Sequence, residues 1–128
     1  MIKYVELKSG YSDDGPAWIG RVRTSRTGRT IYFNGRALKQ SKGPAGNGNY
    51  VDVQTGEIFW VSGVKRSGPD RHPVTGRGKI VVEAAAVSEY LALTGKQALD
   101  PATYVISEDI VETDPAEFVE IENQRLRE

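Results

Sequence analysis

The sequence contains no cysteine, a single histidine and no long apolar run, and each absence excludes a class of protein. Without cysteine the chain has no disulfides, thiolate metal sites or cysteine nucleophile, which fits a reducing compartment. One histidine leaves too few strong ligands for a transition-metal site, which normally needs three or more. No window approaches the roughly 18 consecutive apolar residues of a membrane span, and no signal-peptide pattern opens the chain. The composition therefore predicts a soluble, cytoplasmic protein without a cofactor.

Glycine-rich segments are present, but none of them matches a phosphate-binding motif. Residues 43–48 run into a predicted strand, whereas a dinucleotide-binding loop runs into the N-terminus of a helix. Gly78-Lys79 and Gly95-Lys96 lack the Ser or Thr that follows the lysine in a nucleotide-triphosphate loop. The sequence thus contains no motif specific enough to name a reaction.

The formal net charge is zero, but the charges are unevenly distributed. Residues 1–80 hold 14 Lys and Arg against 6 Asp and Glu, a net charge of +8. Residues 81–128 hold 3 against 11, a net charge of −8. A basic body with an acidic end is typical of a polyanion-binding surface, but the two parts can equally neutralise each other within the fold.

Strand patterns dominate the chain. In residues 17–24, Trp18 and Val22 fall on one face while Arg21 and Arg23 fall on the other. Residues 49–64 have the pattern of a β-hairpin, with two apolar and aromatic segments flanking a Gln-Thr-Gly turn, and we expect this hairpin at the centre of the sheet.

The helix signal is concentrated in one segment. Residues 84–94 combine three alanines with apolar residues at helical spacing, and Gly95 follows as a stop. Together the patterns predict an α+β fold, a mostly antiparallel, curved β-sheet or small barrel of about six or seven strands with one packed helix near residues 84–94. Residues 1–106 form the predicted single globular domain, and residues 107–128 are an acidic C-terminal segment, either a short helix or a tail.

A catalytic reading is available for the polar loop after the hairpin. His72 lies close to Asp70, and a histidine oriented by a carboxylate can act as a base for Ser62 or Ser67. A small hydrolase is therefore one alternative, although a lone histidine on a loop is more often a solvated side chain.

A nucleic-acid-binding reading is the second alternative. Aromatic residues in the predicted strands could stack on bases, although such residues more often belong to a core. The basic side chains that could follow a phosphate backbone on the same sheet are Arg21, Arg23, Arg26, Arg29 and Arg36.

Several short segments together resemble a known group of sequences. They include Tyr4-Val5-Glu6-Leu7-Lys8, Gly28-Arg29-Thr30-Ile31-Tyr32-Phe33, Trp60-Val61-Ser62-Gly63-Val64-Lys65 and Asp70-Arg71-His72. Over residues 1–106 the chain resembles a group of small uncharacterised bacterial proteins, some of which are automatically labelled 1-deoxy-xylulose-5-phosphate synthase. The resemblance implies no functional residue. The synthase label does not fit. That class of enzyme builds a thiamine diphosphate site between large α/β domains and uses a Gly-Asp-Gly metal motif, and this chain has neither the length for such domains nor the motif.

The remaining polar, aromatic-flanked loops favour a non-catalytic interaction module. Residues 9–16 and 66–72 are rich in turn formers and charged side chains, and we expect them to face a protein partner. The candidate partner-binding residues are Tyr11, Asp14, Lys65, Asp70, Arg71 and His72.

Overall fold

The computed structural model of this chain describes residues 1–11, 15–45, 48–66, 78–119 and 121. Within these ranges nine strands form one sheet. The strands are β1 (Ile2–Leu7), β2 (Ala17–Arg21), β3 (Arg23–Thr24), β4 (Thr30–Phe33), β5 (Arg36–Ala45), β6 (Gly48–Asp52), β7 (Ile58–Ser62), β8 (Ile80–Glu83) and β9 (Tyr104–Ser107). The helices are a 3₁₀ helix at Ala84–Ala86, the α-helix α1 at Val87–Thr94 and a second 3₁₀ helix at Pro115–Phe118.

The sheet is mixed, and its strand order is β3-β4-β5-β6-β7-β1-β2-β8-β9. Six of the eight neighbouring pairs are antiparallel, whereas β8 runs parallel to both β2 and β9. The sheet curls into an open half-barrel. The predicted curved, mostly antiparallel sheet is therefore confirmed, while the fold as a whole, predicted as α+β, is mostly β with one short α-helix in the described ranges.

The predicted number of about six or seven strands is wrong, because the described ranges hold nine and the strand pattern of residues 17–24 is divided. Residues 17–24 separate into β2 and β3 at Val22, whose N–H donates to the carbonyl of Met1 at 2.9 Å. Residues 30–39 separate into β4 and β5 at Asn34-Gly35, where both residues have positive φ (47° and 78°). Two consecutive positive φ values are the geometry of a tight hairpin turn, and Asn-Gly adopts it readily.

The predicted hairpin lies at the centre of the sheet, as expected. Its strands β6 and β7 pair in antiparallel register with Tyr50 opposite Phe59, and β7 is the fifth of nine strands. On its other side β7 pairs with β1, which is buried on both faces. Because side chains alternate along a strand, Tyr4 of β1 faces the helix while Val5 faces the opposite side.

The predicted helix near residues 84–94 is present and covers one face of the sheet. Its first three residues are 3₁₀, α1 follows, and the helix ends at Gly95 with φ of 70°. Tyr90 is buried, its ring lies 5.7 Å from that of Tyr104 on β9, and their hydroxyls are 2.8 Å apart. The helix is thus the crossover that allows β8 and β9 to pair in parallel.

The opposite face carries a second apolar cluster in which strands approach closely. The rings of Trp18 and Phe33 meet edge to face at 6.4 Å. Gly20 lies beside them, and a Cβ at this position would lie 2.5 Å from Cε1 of Phe33. The absence of a side chain at residue 20 is therefore what allows the Phe33 ring to lie against β2.

Residues 108–119, here called the C-terminal strap, pass around the turn between β4 and β5. Ile110 packs against the cluster that contains Phe33, and Phe118 packs against Tyr32, Ala37 and Val53. Phe33 and Tyr32 are adjacent in β4 and point to opposite faces, so the strap contacts both faces of the sheet. The acidic segment that the sequence predicted as a helix or a tail contains one short 3₁₀ helix and lies against the sheet in its described part.

Candidate functional site

The strand β9 lies at one edge of the sheet. It pairs with β8 through four residue pairs, from Ile80 opposite Tyr104 to Glu83 opposite Ser107. Within the described ranges no strand pairs with its other side. Val105 and Ile106 are 45% and 54% exposed, and their alternation points them to opposite faces. Apart from the Tyr104 N–H, which donates to the carbonyl of Asp100 at 2.9 Å, the outer side of the strand therefore offers backbone groups flanked by apolar side chains.

Acidic side chains follow β9 directly. Glu108, Asp109 and Glu112 are all exposed at the beginning of the strap. Asp100, in the turn before β9, is also exposed, and its carboxylate accepts hydrogen bonds from that turn, one of them from the N–H of Ala102 at 3.0 Å. A strand that binds along this edge would thus meet carboxylates at both ends of β9, with Lys96 as a basic neighbour at the Tyr104 end, where its Nζ lies 5.6 Å from the ring centroid.

A cleft of about 460 Å³ lies between the sheet, the 3₁₀ helix after β8 and the strap. Its apolar surface comes in part from Val22, Phe33 and Ile110, which belong to or pack against the cluster opposite the helix. Its charged lining combines both signs. The lining residues are Met1, Arg21, Val22, Arg23, Tyr32, Phe33, Glu83, Ala84, Ala85, Ser107, Glu108, Ile110, Val111, Glu112 and Thr113.

Some charges of the cleft are paired and others are not. Arg23 Nη2 lies 2.7 Å from Glu112 Oε1, and both side chains are largely exposed. Oε1 of Glu83 accepts a hydrogen bond from the backbone N–H of Arg21 at 2.8 Å. In the part of the chain that the structure describes, the Arg21 guanidinium and the Glu108 carboxylate have no ion-pair partner. These two groups remain available to a ligand.

The five arginines proposed for nucleic-acid binding lie in three different places. Arg21 and Arg23 line the cleft, and Arg26 and Arg29 are exposed in the turn between β3 and β4. Arg36 lies on β5 near the Phe59 ring, with its guanidinium carbon 5.2 Å from the ring centroid.

Carboxylates neutralise Arg36 in particular. Its Nη1 lies 2.6 Å from Asp52 Oδ2 and 3.0 Å from Glu57 Oε1, and Asp52 is fully buried. Burial alone would lower the pKa of Arg36, but hydrogen bonds and Coulombic attraction to the two carboxylates outweigh it and raise the pKa above its ordinary value. The positive charge of Arg36 is therefore neutralised by carboxylates of the chain itself.

The aromatic residues that could stack on bases differ in their exposure. Tyr32 and Phe59 are buried in the core, and Trp18 and Tyr50 are half-buried and pack against it. Trp60 and Tyr11 are 40% and 49% exposed.

Two of the six proposed partner-binding residues lie in the described ranges. Tyr11 and Lys65 are both exposed, and they follow the C-terminal ends of β1 and β7 respectively. Because β1 and β7 are antiparallel, the chain leaves these two strands in opposite directions. Asp14 and residues 70–72 lie outside the described residues, as does Ser67, while Ser62 is half-buried on β7.

A buried polar cluster on β1 was not identified as a functional candidate from the sequence. The hydroxyl of Tyr4 donates to Glu6 Oε1, and Lys8 Nζ lies 2.7 Å from Glu6 Oε2. The side chains of Lys8 and Glu6 are only 9% and 4% exposed. Their period-2 spacing, Tyr-x-Glu-x-Lys, places all three on one face of the strand. The signal was therefore present in the sequence, and the ion pair offsets part of the cost of burying two charges.

Other site types find no support in the described ranges. No group of three or more His, Asp or Glu side chains there is arranged to hold a metal ion. None of the helices in these ranges is long and apolar enough to cross a membrane. No family model, curated protein or solved structure matches this chain.

Proposed function

We propose that this chain is a non-catalytic protein-binding module that adds an extended segment of a partner protein to the free edge of β9. The observation that carries the proposal is the combination of an unpaired edge with exposed Val105 and Ile106. An open edge presents a row of N–H and C=O groups that an incoming strand can pair, and alternate side chains then supply specificity.

The charges around β9 indicate the chemistry of the partner. Glu108 and Asp109 lie at one end of the strand and Asp100 near the other. A complementary segment would alternate β-branched or aromatic side chains and carry lysine or arginine at its ends. Antiparallel pairing of two copies along this edge would instead bring the acidic ends of one copy towards those of the other, which disfavours self-association.

The proposal is tested with a random library of peptides of about eight residues, which exceeds the typical strand of five to six. We expect enriched peptides to alternate β-branched or aromatic residues and to carry basic ends. Their affinity should fall by about tenfold or more, equivalent to 1.4 kcal/mol, in Val105→Lys and Ile106→Lys, because a lysine on the edge opposes strand addition.

Val119→Lys is the matched control, because Val119 is an equally exposed apolar residue (51%) on the strap. It should bind the enriched peptides like the parent chain. Failure to enrich any peptide, or equal loss in the control, would contradict the proposal.

The loop residues proposed from the sequence define a competing location for the same function. A combined Tyr11→Ala, Arg71→Ala and His72→Ala variant belongs in the same binding assay. Retention of affinity in this variant, with loss in Val105→Lys, supports the edge of β9. The reverse pattern would move the interface to the loops.

A further inference from the structure

We infer that the cleft between the sheet and the strap binds a small zwitterion with an apolar body, of the class of free amino acids and short peptides. Its volume of about 460 Å³ lies within the range of small-molecule sites. This site adjoins the edge of β9, because Ser107 and Glu108 line the cleft, but the inference does not rest on the function proposed for that edge.

The charges that line the cleft specify the two ends of the ligand. Arg23 and Glu112 pair with each other, and Glu83 accepts the backbone N–H of Arg21. The charged side chains that line the cleft without an ion-pair partner among the described residues are one cation, Arg21, and two anions, Glu83 and Glu108, of which only Glu83 already accepts a backbone N–H. A ligand carboxylate suits the fork of hydrogen-bond donors on a guanidinium, and a ligand ammonium suits a carboxylate.

The apolar lining specifies what lies between those ends. Val111, Ala85 and Ile110 give the cleft exposed or half-exposed apolar surface, whereas Val22 and Phe33 are already buried in the apolar cluster opposite the helix. A branched aliphatic or aromatic ligand body would remove this surface from water, which favours binding in proportion to the apolar area covered. A ligand with two charges and no apolar body would not use it.

The cleft exists only while the strap is docked on the sheet, because the strap supplies one of its walls. Ser107, Glu108 and residues 110–113 form one wall, and the Gly35 N–H donates to Thr113 Oγ1 at 2.6 Å to hold that wall against the β4–β5 turn. Ligand contacts with this wall and with the sheet would therefore stabilise the docked strap, since any ligand that binds only the folded form raises its stability.

Leucine, leucyl-leucine and trileucine are the probes, because they hold the same two charged ends at increasing separation. Binding is measured by calorimetry and by amide chemical shifts of the uniformly ¹⁵N-labelled full chain. We expect at least one probe to bind with a Kd below about 10 mM and to shift the amides of Ala84, Ala85 and Val111, all of which line the cleft. Its N-acetyl and C-amide derivatives, which each lack one charge, should bind about tenfold more weakly.

Arg21→Gln and Glu108→Gln remove the two charges separately, and each should reproduce the loss seen with the matching derivative. Arg21→Gln keeps the backbone bond to Glu83, so folding should persist. Arg29→Gln and Glu89→Gln are the controls, because both residues are exposed and lie outside the cleft. The inference is overturned if no probe binds, if the blocked derivatives bind equally well, or if the controls lose as much affinity as the cleft variants.

Discussion

Gly35 and Thr113 are 78 positions apart in the chain and are joined by a 2.6 Å hydrogen bond from the Gly35 N–H to the Thr113 hydroxyl. A second bond beside it runs from the Val111 N–H to Asn34 Oδ1 at 3.0 Å. The hairpin turn between β4 and β5 therefore serves as the attachment point of the strap. Thr113 is only 4% exposed, so its hydroxyl is a buried polar group that needs this partner.

Replacing Thr113 by valine tests this attachment. The change preserves the side-chain shape but leaves the Gly35 N–H without its acceptor, which we expect to lower the free energy of unfolding by about 1–3 kcal/mol. Urea denaturation measures the loss. Thr113→Ser, which retains the hydroxyl, should recover most of the stability, and equal losses in the two variants would contradict a role for the hydrogen bond.

Phe118 is the apolar anchor of the strap. It is 3% exposed, and its ring centroid lies 5.9 Å from that of Tyr32. Phe118→Ala should lower the free energy of unfolding by about 3 kcal/mol, because it removes a buried ring and leaves a cavity. Val119→Ala, at the exposed neighbouring position, should change it by less than about 0.5 kcal/mol. If hydrogen exchange at Tyr32 and Ala37 were unchanged in Phe118→Ala, the anchor would lie elsewhere.

The alternation of side chains was predictable from the sequence, whereas the division of residues 17–24 into two strands was not. Trp18 and Val22 do face one side of the sheet, in contact with one cluster, while Ile19 belongs to the cluster on the other. The break at Val22 depends on the N-terminal residue Met1, whose carbonyl pairs with Val22 N–H. A local pattern cannot reveal a partner that is distant in the chain.

The same limit applies to the edge and the cleft. The sequence favoured a helix near residues 84–94. It did not show that β8 and β9, the strands before and after this helix, would pair in parallel, because that pairing depends on how the helix folds back over the sheet. The acidity of residues 107–128 suggested solvent exposure. Thr113 and Phe118 are nevertheless buried, because they meet the turn at Asn34-Gly35 and the apolar surface of Tyr32. The acidic charge pattern therefore gave no indication that these two residues attach the strap to the sheet.

Gly20 provides a test of the close approach between β2 and β4. An alanine Cβ at this position would lie 2.5 Å from Phe33 Cε1, so the ring must shift. Gly20→Ala should lower the free energy of unfolding by about 1–3 kcal/mol, as overpacking does. Gly63→Ala is the matched control, since a Cβ there meets no atom within 4 Å. Thermal unfolding compares the two, and equal midpoints would contradict the close approach.

Asp52 combines an ion pair with turn formation, and two substitutions separate these roles. Oδ2 contacts Arg36, and Oδ1 accepts from the N–H groups of Gln54 and Thr55. Asp52→Ala removes both and should lower the free energy of unfolding by about 1–3 kcal/mol, because Arg36 is partly exposed and keeps its contact with Glu57. Asp52→Asn retains an acceptor for the turn and should cost less. Equal losses in chemical denaturation would show that the turn bonds contribute little.

Nucleic-acid binding by the basic surface is the alternative to protein binding, and its salt dependence provides a test. Of the five arginines proposed for nucleic-acid binding, Arg23 and Arg36 are paired with carboxylates. The other three, Arg21, Arg26 and Arg29, have no ion-pair partner in the described ranges. Three phosphate contacts on single-stranded DNA give a slope of log K against log salt of about −2. We therefore expect either no affinity for single-stranded DNA at low salt, or an affinity whose salt dependence is no steeper than this slope. Any binding that is seen should be lost in a double variant that carries Arg26→Gln and Arg29→Gln. A much steeper slope would mean that more phosphates are contacted than these three arginines can reach, and it would favour nucleic acid over the edge-strand partner.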